Sequence, residues 1–265
     1  MLQIERYHYA SSLADAYQTL PATAGRVGLG GCGYIRLGDR KIATAIDLCR
    51  LDLDFVRETD TTVEIGAMTS LRTIETAPLC RRFCSGILAR SVENIVGVQL
   101  RRGVTIGGTV AGRYPFSDPL TALVAVDAQL HFHQHGIMSL ATFLHGQGIR
   151  DILEKVTIPK VANRRGAFTS IRRTRTDYPV LNAAISAGND YRIVVGARPG
   201  RATLAVAAAD YLLEHGLNAT TAGEAGRLAA LSLQFGDNPR GSAEYRRAVC
   251  PVLVTRALTE VLDAA

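Results

Sequence analysis

The chain has no tryptophan, only 6% aromatic residues and three methionines among its 265 residues. Lacking aromatic stacking platforms, and with a net charge of +6 spread along its length, it is not expected to bind nucleic acid. No apolar run approaches the roughly 20 residues that span a bilayer. The start, MLQIERYHYA, has no apolar secretory core, so a cytoplasmic protein without a membrane partner is expected. The five cysteines, Cys32, Cys49, Cys80, Cys84 and Cys250, are odd in number and scattered, which argues against a disulfide framework. Cys80 and Cys84 have no second pair nearby, so no cluster is expected in this chain. His131, His133 and His135 would share one strand face, but they run into a turn at Gly136 with no carboxylate or cysteine close in sequence, and no metal is assigned. No G-x-S-x-G elbow is present, and no side chain is assigned a catalytic role.

What the chain has is glycine in two places. VTIGGTVAGRYPFSD, Val104 to Asp118, carries the pair Gly107-Gly108 behind Thr105 and Ile106, then Thr109, Gly112 and the closing Ser117-Asp118. About eighty residues earlier, RVGLGGCGYIRLGD carries Val27, Gly28, Leu29, Gly30, Gly31, Cys32, Gly33 and Tyr34. Glycine doublets let the backbone turn sharply and approach a ligand without a Cβ in the way. Successive N–H groups in such turns form a concave anion site, and two such loops can close on one extended dinucleotide from two sides. Asp118 would supply an acceptor for a ribose or ring N–H. Taken alone, the second pair also fits a tight turn between a strand and a helix starting near Ser117.

TIGGT followed by SD, together with the earlier LGGCG, resembles the flavin-binding subunit of molybdenum hydroxylases of the xanthine dehydrogenase and carbon monoxide dehydrogenase type. IDLCRLDLDFV, VEIGAMTSLRTIE, LTALVAVDAQL and GSAEYRRAVCPVLVTRAL continue the similarity in register over nearly all of the chain. The resemblance implies FAD, with its diphosphate held by both loops. Cys32 stands where the family commonly has threonine and Thr109 where it has asparagine, so each exchange alters a hydrogen bond to the cofactor. The resemblance also implies that a residue on AFTSIRR lies beside the flavin ring, which points to Phe168 and Thr169, while Phe168 also reads as a core aromatic. Tyr178 is a weaker candidate for shielding the ring. An iron–sulfur subunit and a large molybdopterin-binding subunit are the implied partners, with electrons leaving reduced FAD for NAD or another acceptor. A flavin-free binding or assembly protein keeping the same fold is the competing reading.

The implied fold is α+β: a two-part FAD-binding domain of the vanillyl-alcohol-oxidase/PCMH type at 1–162, with subdomains at about 1–55 and 56–162, and a C-terminal domain at 163–265. Periodicity agrees with this layout. It predicts helices over Leu13 to Leu20 and Leu79 to Ser91, and a C-terminal three-stranded antiparallel meander of AFTSIRR, LNAAISAG and YRIVVGAR packed with three helices. Gly28, Gly30 and Gly33 also satisfy G-x-G-x-x-G with Asp54 about twenty residues on, but only Tyr34 to Leu37 separates Gly33 from Gly38. That leaves room for about one helical turn, so a Rossmann-type NAD site is the runner-up. The basic stretch NRRGAFTSIRRTRTDY reads as a solvated strand face by default, and otherwise as a partner surface or an attractor of an anionic nicotinamide dinucleotide.

Overall fold

A computed structural model describes residues 1–20 and 26–264. Strands β1 (Gln3–Tyr9), β2 (Arg26–Leu29) and β3 (Lys41–Asp47) form a parallel sheet in the order β1-β3-β2. The helix Leu13–Thr19 follows β1, and the Ser12 side chain caps it by accepting from the Asp15 N–H. Five further strands, β4 (Val56–Glu58), β5 (Thr62–Gly66), β6 (Gln129–Phe132), β7 (Gly136–Ser139) and β8 (Leu153–Pro159), make an antiparallel sheet ordered β4-β5-β8-β6-β7. Between β5 and β6 the chain forms short helices that pack into the largest core, around Ile65, Ile87, Leu120 and Leu123.

The last sheet differs from the sequence expectation. Strands β9 (Arg165–Ile171), β10 (Leu181–Ala187) and β11 (Tyr191–Gly196) are the three expected, and a fourth, β12 (Thr203–Leu204), pairs with β11. Two residues are too few to display a period of two, which is why no pattern marked it. This sheet is buried on both faces. Ala167, Ala183, Ile185, Ile193 and Val195 pack on the helices Val206–His215, Ala219–Ser232 and Ala243–Asp263. Phe168, Ala184 and Val194 point the other way, into the core shared with the helices Ile87–Val92 and Asp118–Ala125.

Two helical readings also change. The segment from Leu79 to Ser91 is not one helix: Pro78–Arg82 and Ile87–Val92 are separated by Cys84, Ser85 and Gly86, all with φ between 48° and 74°. The second glycine segment is not an open loop either. Gly107 and Gly108 lie in the first turn of a helix, Ile106–Gly112, whose cap is the Thr105 hydroxyl accepting from the Gly108 N–H. No helix among the described residues is long and apolar enough to cross a membrane.

Candidate functional site

The two glycine segments meet back to back. A Cβ on Gly108 would lie 2.1 Å from the Gly30 carbonyl oxygen, one on Gly31 2.1 Å from the Gly103 carbonyl, and one on Gly107 2.6 Å from the Ala67 carbonyl. These three glycines therefore exist for contact between backbones of the protein. Gly31 also requires its glycine for a φ of 76°. Gly28 is different: a Cβ there would meet nothing within 4 Å, because it faces open space.

That space is a cleft of two adjoining cavities that share lining residues, of about 310 and 500 Å³. Volumes of this order suit a small-molecule or cofactor ligand. Val27, Gly28, Gly30 and Gly108 line both chambers. Cys32, Gly33, Tyr34, Thr109, Gly112, Ser117 and Asp118 line the smaller one, and Gly107 the larger. Cys32 adopts φ 54°, unusual for a residue with a Cβ, and burial pushes its thiol up. Gly33 is followed by a single 3₁₀ turn, Ile35–Leu37, so no helix opens there to aim a dipole at a diphosphate.

Other sequence candidates are engaged within the protein. Leu29 is buried with Ile42 and Ala45 beneath the parallel sheet, Ile106 is core, and Thr105 serves as a cap. Thr109 turns its hydroxyl back onto the Thr105 carbonyl at 2.9 Å. Phe168 and Thr169 do not reach the cleft. Strand alternation sends Phe168 into the core of the helix Ile87–Val92, and Thr169 donates to the Leu253 carbonyl of the last helix at 3.2 Å.

The residue here that reaches the site is Arg172, one past the end of β9 and in the same alternation as Phe168. Its guanidinium donates to Asp118 Oδ2 at 2.6 Å, to the Asp177 carbonyl at 2.6 Å and to Ser170 Oγ at 3.1 Å. Asn182 Nδ2 donates to the other Asp118 oxygen at 2.7 Å, and Thr121 Oγ1 donates to Asn182 Oδ1 at 3.0 Å. Burial pushes the Asp118 carboxyl up, while Arg172 and Asn182 pull against it. Both Asp118 oxygens thus hold protein partners, and the carboxylate is a clasp between the helix Asp118–Ala125 and the last sheet rather than an open acceptor for a ribose.

Asp177 precedes Tyr178, which lines the smaller chamber within an aromatic group. Tyr114 stacks on Phe116 at 5.3 Å, Phe116 meets the Tyr178 ring edge-on at 4.5 Å, and the Tyr34 hydroxyl donates to the Tyr178 hydroxyl at 2.7 Å. Burial and the Tyr178 contact push the Tyr34 phenol up. Ile95, Val96 and Leu100 form the apolar wall of this chamber. They are held by Arg101, which donates to both oxygens of Glu75 (2.8 and 3.2 Å) and to the Ile95 carbonyl at 2.9 Å.

Arg40, Tyr114 and Phe116 carried no recognised sequence signal. Arg172 sat inside the basic stretch expected to be a solvated face, yet its side chain is 8% exposed and that of Arg164, paired with Asp190, is 6% exposed. The histidine run has ordinary partners: His131 meets Thr157 and His133 meets Glu154 across to β8. Among the described residues no group of three His, Cys, Asp or Glu side chains is arranged to hold a metal ion.

Residues 2–161 match the family described as FAD binding domain in molybdopterin dehydrogenase, and residues 166–261 match the CO dehydrogenase flavoprotein C-terminal domain. The chain is 25% identical over 275 residues to the carbon monoxide dehydrogenase medium chain of Hydrogenophaga pseudoflava, covering 95% of each. It is 24% identical over 274 residues to the nicotine 6-hydroxylase medium subunit of Paenarthrobacter nicotinovorans, covering 96% of each. In fold it is similar to the carbon monoxide dehydrogenase from Hydrogenophaga pseudoflava that lacks the Mo-pyranopterin moiety, with a TM-score of 0.89 at 24% identity over 98% of both chains.

Proposed function

Since the chain belongs to the family of FAD-binding domains of molybdopterin dehydrogenases, we propose that its two-chambered cleft holds FAD and that electrons pass through this subunit from partner iron–sulfur clusters to NAD or another acceptor. The protein is the FAD-carrying medium subunit of a molybdenum hydroxylase-type oxidoreductase. The observation that carries the reading of the site is Gly28, the one glycine of the two clusters whose missing side chain leaves room in the cleft. An extended dinucleotide needs two compartments joined at a narrow crossing, and backbone-only walls at that crossing let it approach closely. Residues 1–162 would supply both chambers, and 163–265 would supply Arg172 and Tyr178 at the rim of the smaller.

Bound FAD supplies the redox chemistry, and the side chains' part is to hold and shield it. The aromatic group of Tyr34, Tyr114, Phe116 and Tyr178 gives the smaller chamber the flat apolar surface that suits an isoalloxazine ring. An iron–sulfur chain and a molybdopterin-binding chain complete the proposed complex, a reading supported by the similarity to a carbon monoxide dehydrogenase medium chain and a nicotine 6-hydroxylase medium subunit. Titration of the purified full chain with FAD, followed by visible absorption, tests the reading. Stoichiometric uptake of yellow cofactor is expected, and a protein that stays colourless with FAD in excess would overturn it.

A further inference from the structure

The point where the two chambers meet has a distinctive composition. Six residues line both: Val27, Gly28, Gly30, Arg40, Gly108 and Ala111. Five are small or apolar, so Arg40 is the single charge at the crossing. An exposed arginine ordinarily reads as solvated surface. Arg40 is exposed, but its surroundings set it apart from the other arginines of the cleft.

Those others are engaged with protein acceptors. Arg26 donates to the Thr19 carbonyl at 3.0 Å, Arg113 to the Gly146 carbonyl at 3.0 Å, Arg150 to the Leu20 carbonyl at 3.1 Å, and Arg172 to Asp118. The lining carboxylates are engaged too: Asp151 accepts from the backbone of Gln134, His135 and Ile152, Asp177 from the Tyr178 N–H, and Asp118 from Arg172 and Asn182. Among the described residues the Arg40 guanidinium has neither a hydrogen bond nor an ion pair. Five arginines against three aspartates also give the whole cleft a positive balance.

We propose that Arg40 is the counter-charge for the diphosphate of the bound dinucleotide and selects it over flavins that lack phosphate. The inference rests on the FAD reading of the cleft. A ligand with one end in each chamber must thread its middle past Gly28, Gly30, Gly108 and Arg40, and the middle of a dinucleotide is its diphosphate. The guanidinium fork matches phosphate oxygens in charge and geometry, and the glycine backbones leave those oxygens space beside it.

The test titrates the full-length parent, Arg40→Ala and Arg40→Lys with FAD and, separately, with riboflavin, following flavin fluorescence at low and high salt. Arg40→Ala is expected to weaken FAD by roughly ten- to a hundredfold, the range of a lost charge-assisted hydrogen bond, with riboflavin affinity and melting temperature unchanged. Lysine keeps the charge but not the fork and should recover part of the loss. The parent's FAD affinity should fall more steeply with salt than that of Arg40→Ala. Equal FAD affinity in parent and Arg40→Ala would overturn the assignment while leaving the FAD reading intact. A parallel loss of riboflavin would also overturn it, showing that Arg40 shapes the cavity instead. A parent that binds no FAD would overturn the cofactor reading itself and the assignment with it.

Discussion

Replacing Asp118 by asparagine tests whether this residue serves the fold or the cofactor. Its carboxylate is 3% exposed and receives Arg172 at 2.6 Å on one oxygen and Asn182 at 2.7 Å on the other. Asparagine keeps one acceptor and turns a donor toward one of those two donors, so a contact is lost and the Arg172 charge is left buried without its counter-ion. Removing one member of a buried, hydrogen-bonded pair costs about 3–5 kcal/mol. At roughly 2–4 °C per kcal/mol for a chain of this size, the apoprotein should melt about 6–20 °C lower. Arg172 also holds the Asp177 carbonyl, so Tyr178 should lose its fixed place and FAD affinity should fall as a second effect. Thermal unfolding of Asp118→Asn, Arg172→Met and the double variant gives the coupling directly. The double variant should lose less than the two singles summed, because the stranded charge is absent. An Asp118→Asn protein that melts within about 2 °C of the parent but binds FAD weakly would refute the clasp and return the carboxylate to the cofactor.

Gly28→Val should fold normally and lose FAD, since its side chain enters only the cleft, whereas Gly108→Ala should lose about 1–3 kcal/mol of stability by overpacking against the Gly30 carbonyl; melting curves beside FAD titrations distinguish the two. Phe168→Ala should cost about 3–5 kcal/mol with FAD affinity retained, because the ring faces the core; loss of affinity at unchanged stability would place it beside the flavin after all. Burial works to raise the Glu75 carboxyl, but Arg101 and Arg72 outweigh it and hold the group below the usual carboxylate range. The folded value is therefore depressed, and the stability this provides is present above roughly pH 4.3, the unfolded value, and is lost as the pH falls through the folded one. Glu75→Gln should accordingly be less stable at neutral pH, with a melting temperature that falls less steeply on acidification, as read from thermal scans across the acid range.

Local patterning was enough for much of the frame. The helix expected over Leu13 to Leu20 forms at Leu13–Thr19, and the strand expected at LNAAISAG forms as β10, buried on both faces because helices cover each side of its sheet. The break at Cys84 to Gly86 was not legible: three left-handed residues in succession persist only under tertiary packing, and the surrounding sequence is apolar enough to pass for a helix. The glycine clusters were legible as a place but not as a division of labour. Which glycine faces a ligand and which faces another backbone depends on how two segments about eighty residues apart approach each other, and no local pattern encodes that separation. The same holds for Asp118 and Arg172. Position relative to the glycines marked Asp118 for the cofactor, and the charge run marked Arg172 for solvent, yet β9 carries the arginine over the start of the helix Asp118–Ala125 and buries the two together. The sequence by itself determined the family, the two glycine segments and most of the strands, because these depend on neighbours along the chain. Only the tertiary structure decided that Arg172, Tyr178 and Arg40 meet at one cleft and that Phe168 does not, because strand alternation and the packing of the last sheet set the direction of each side chain.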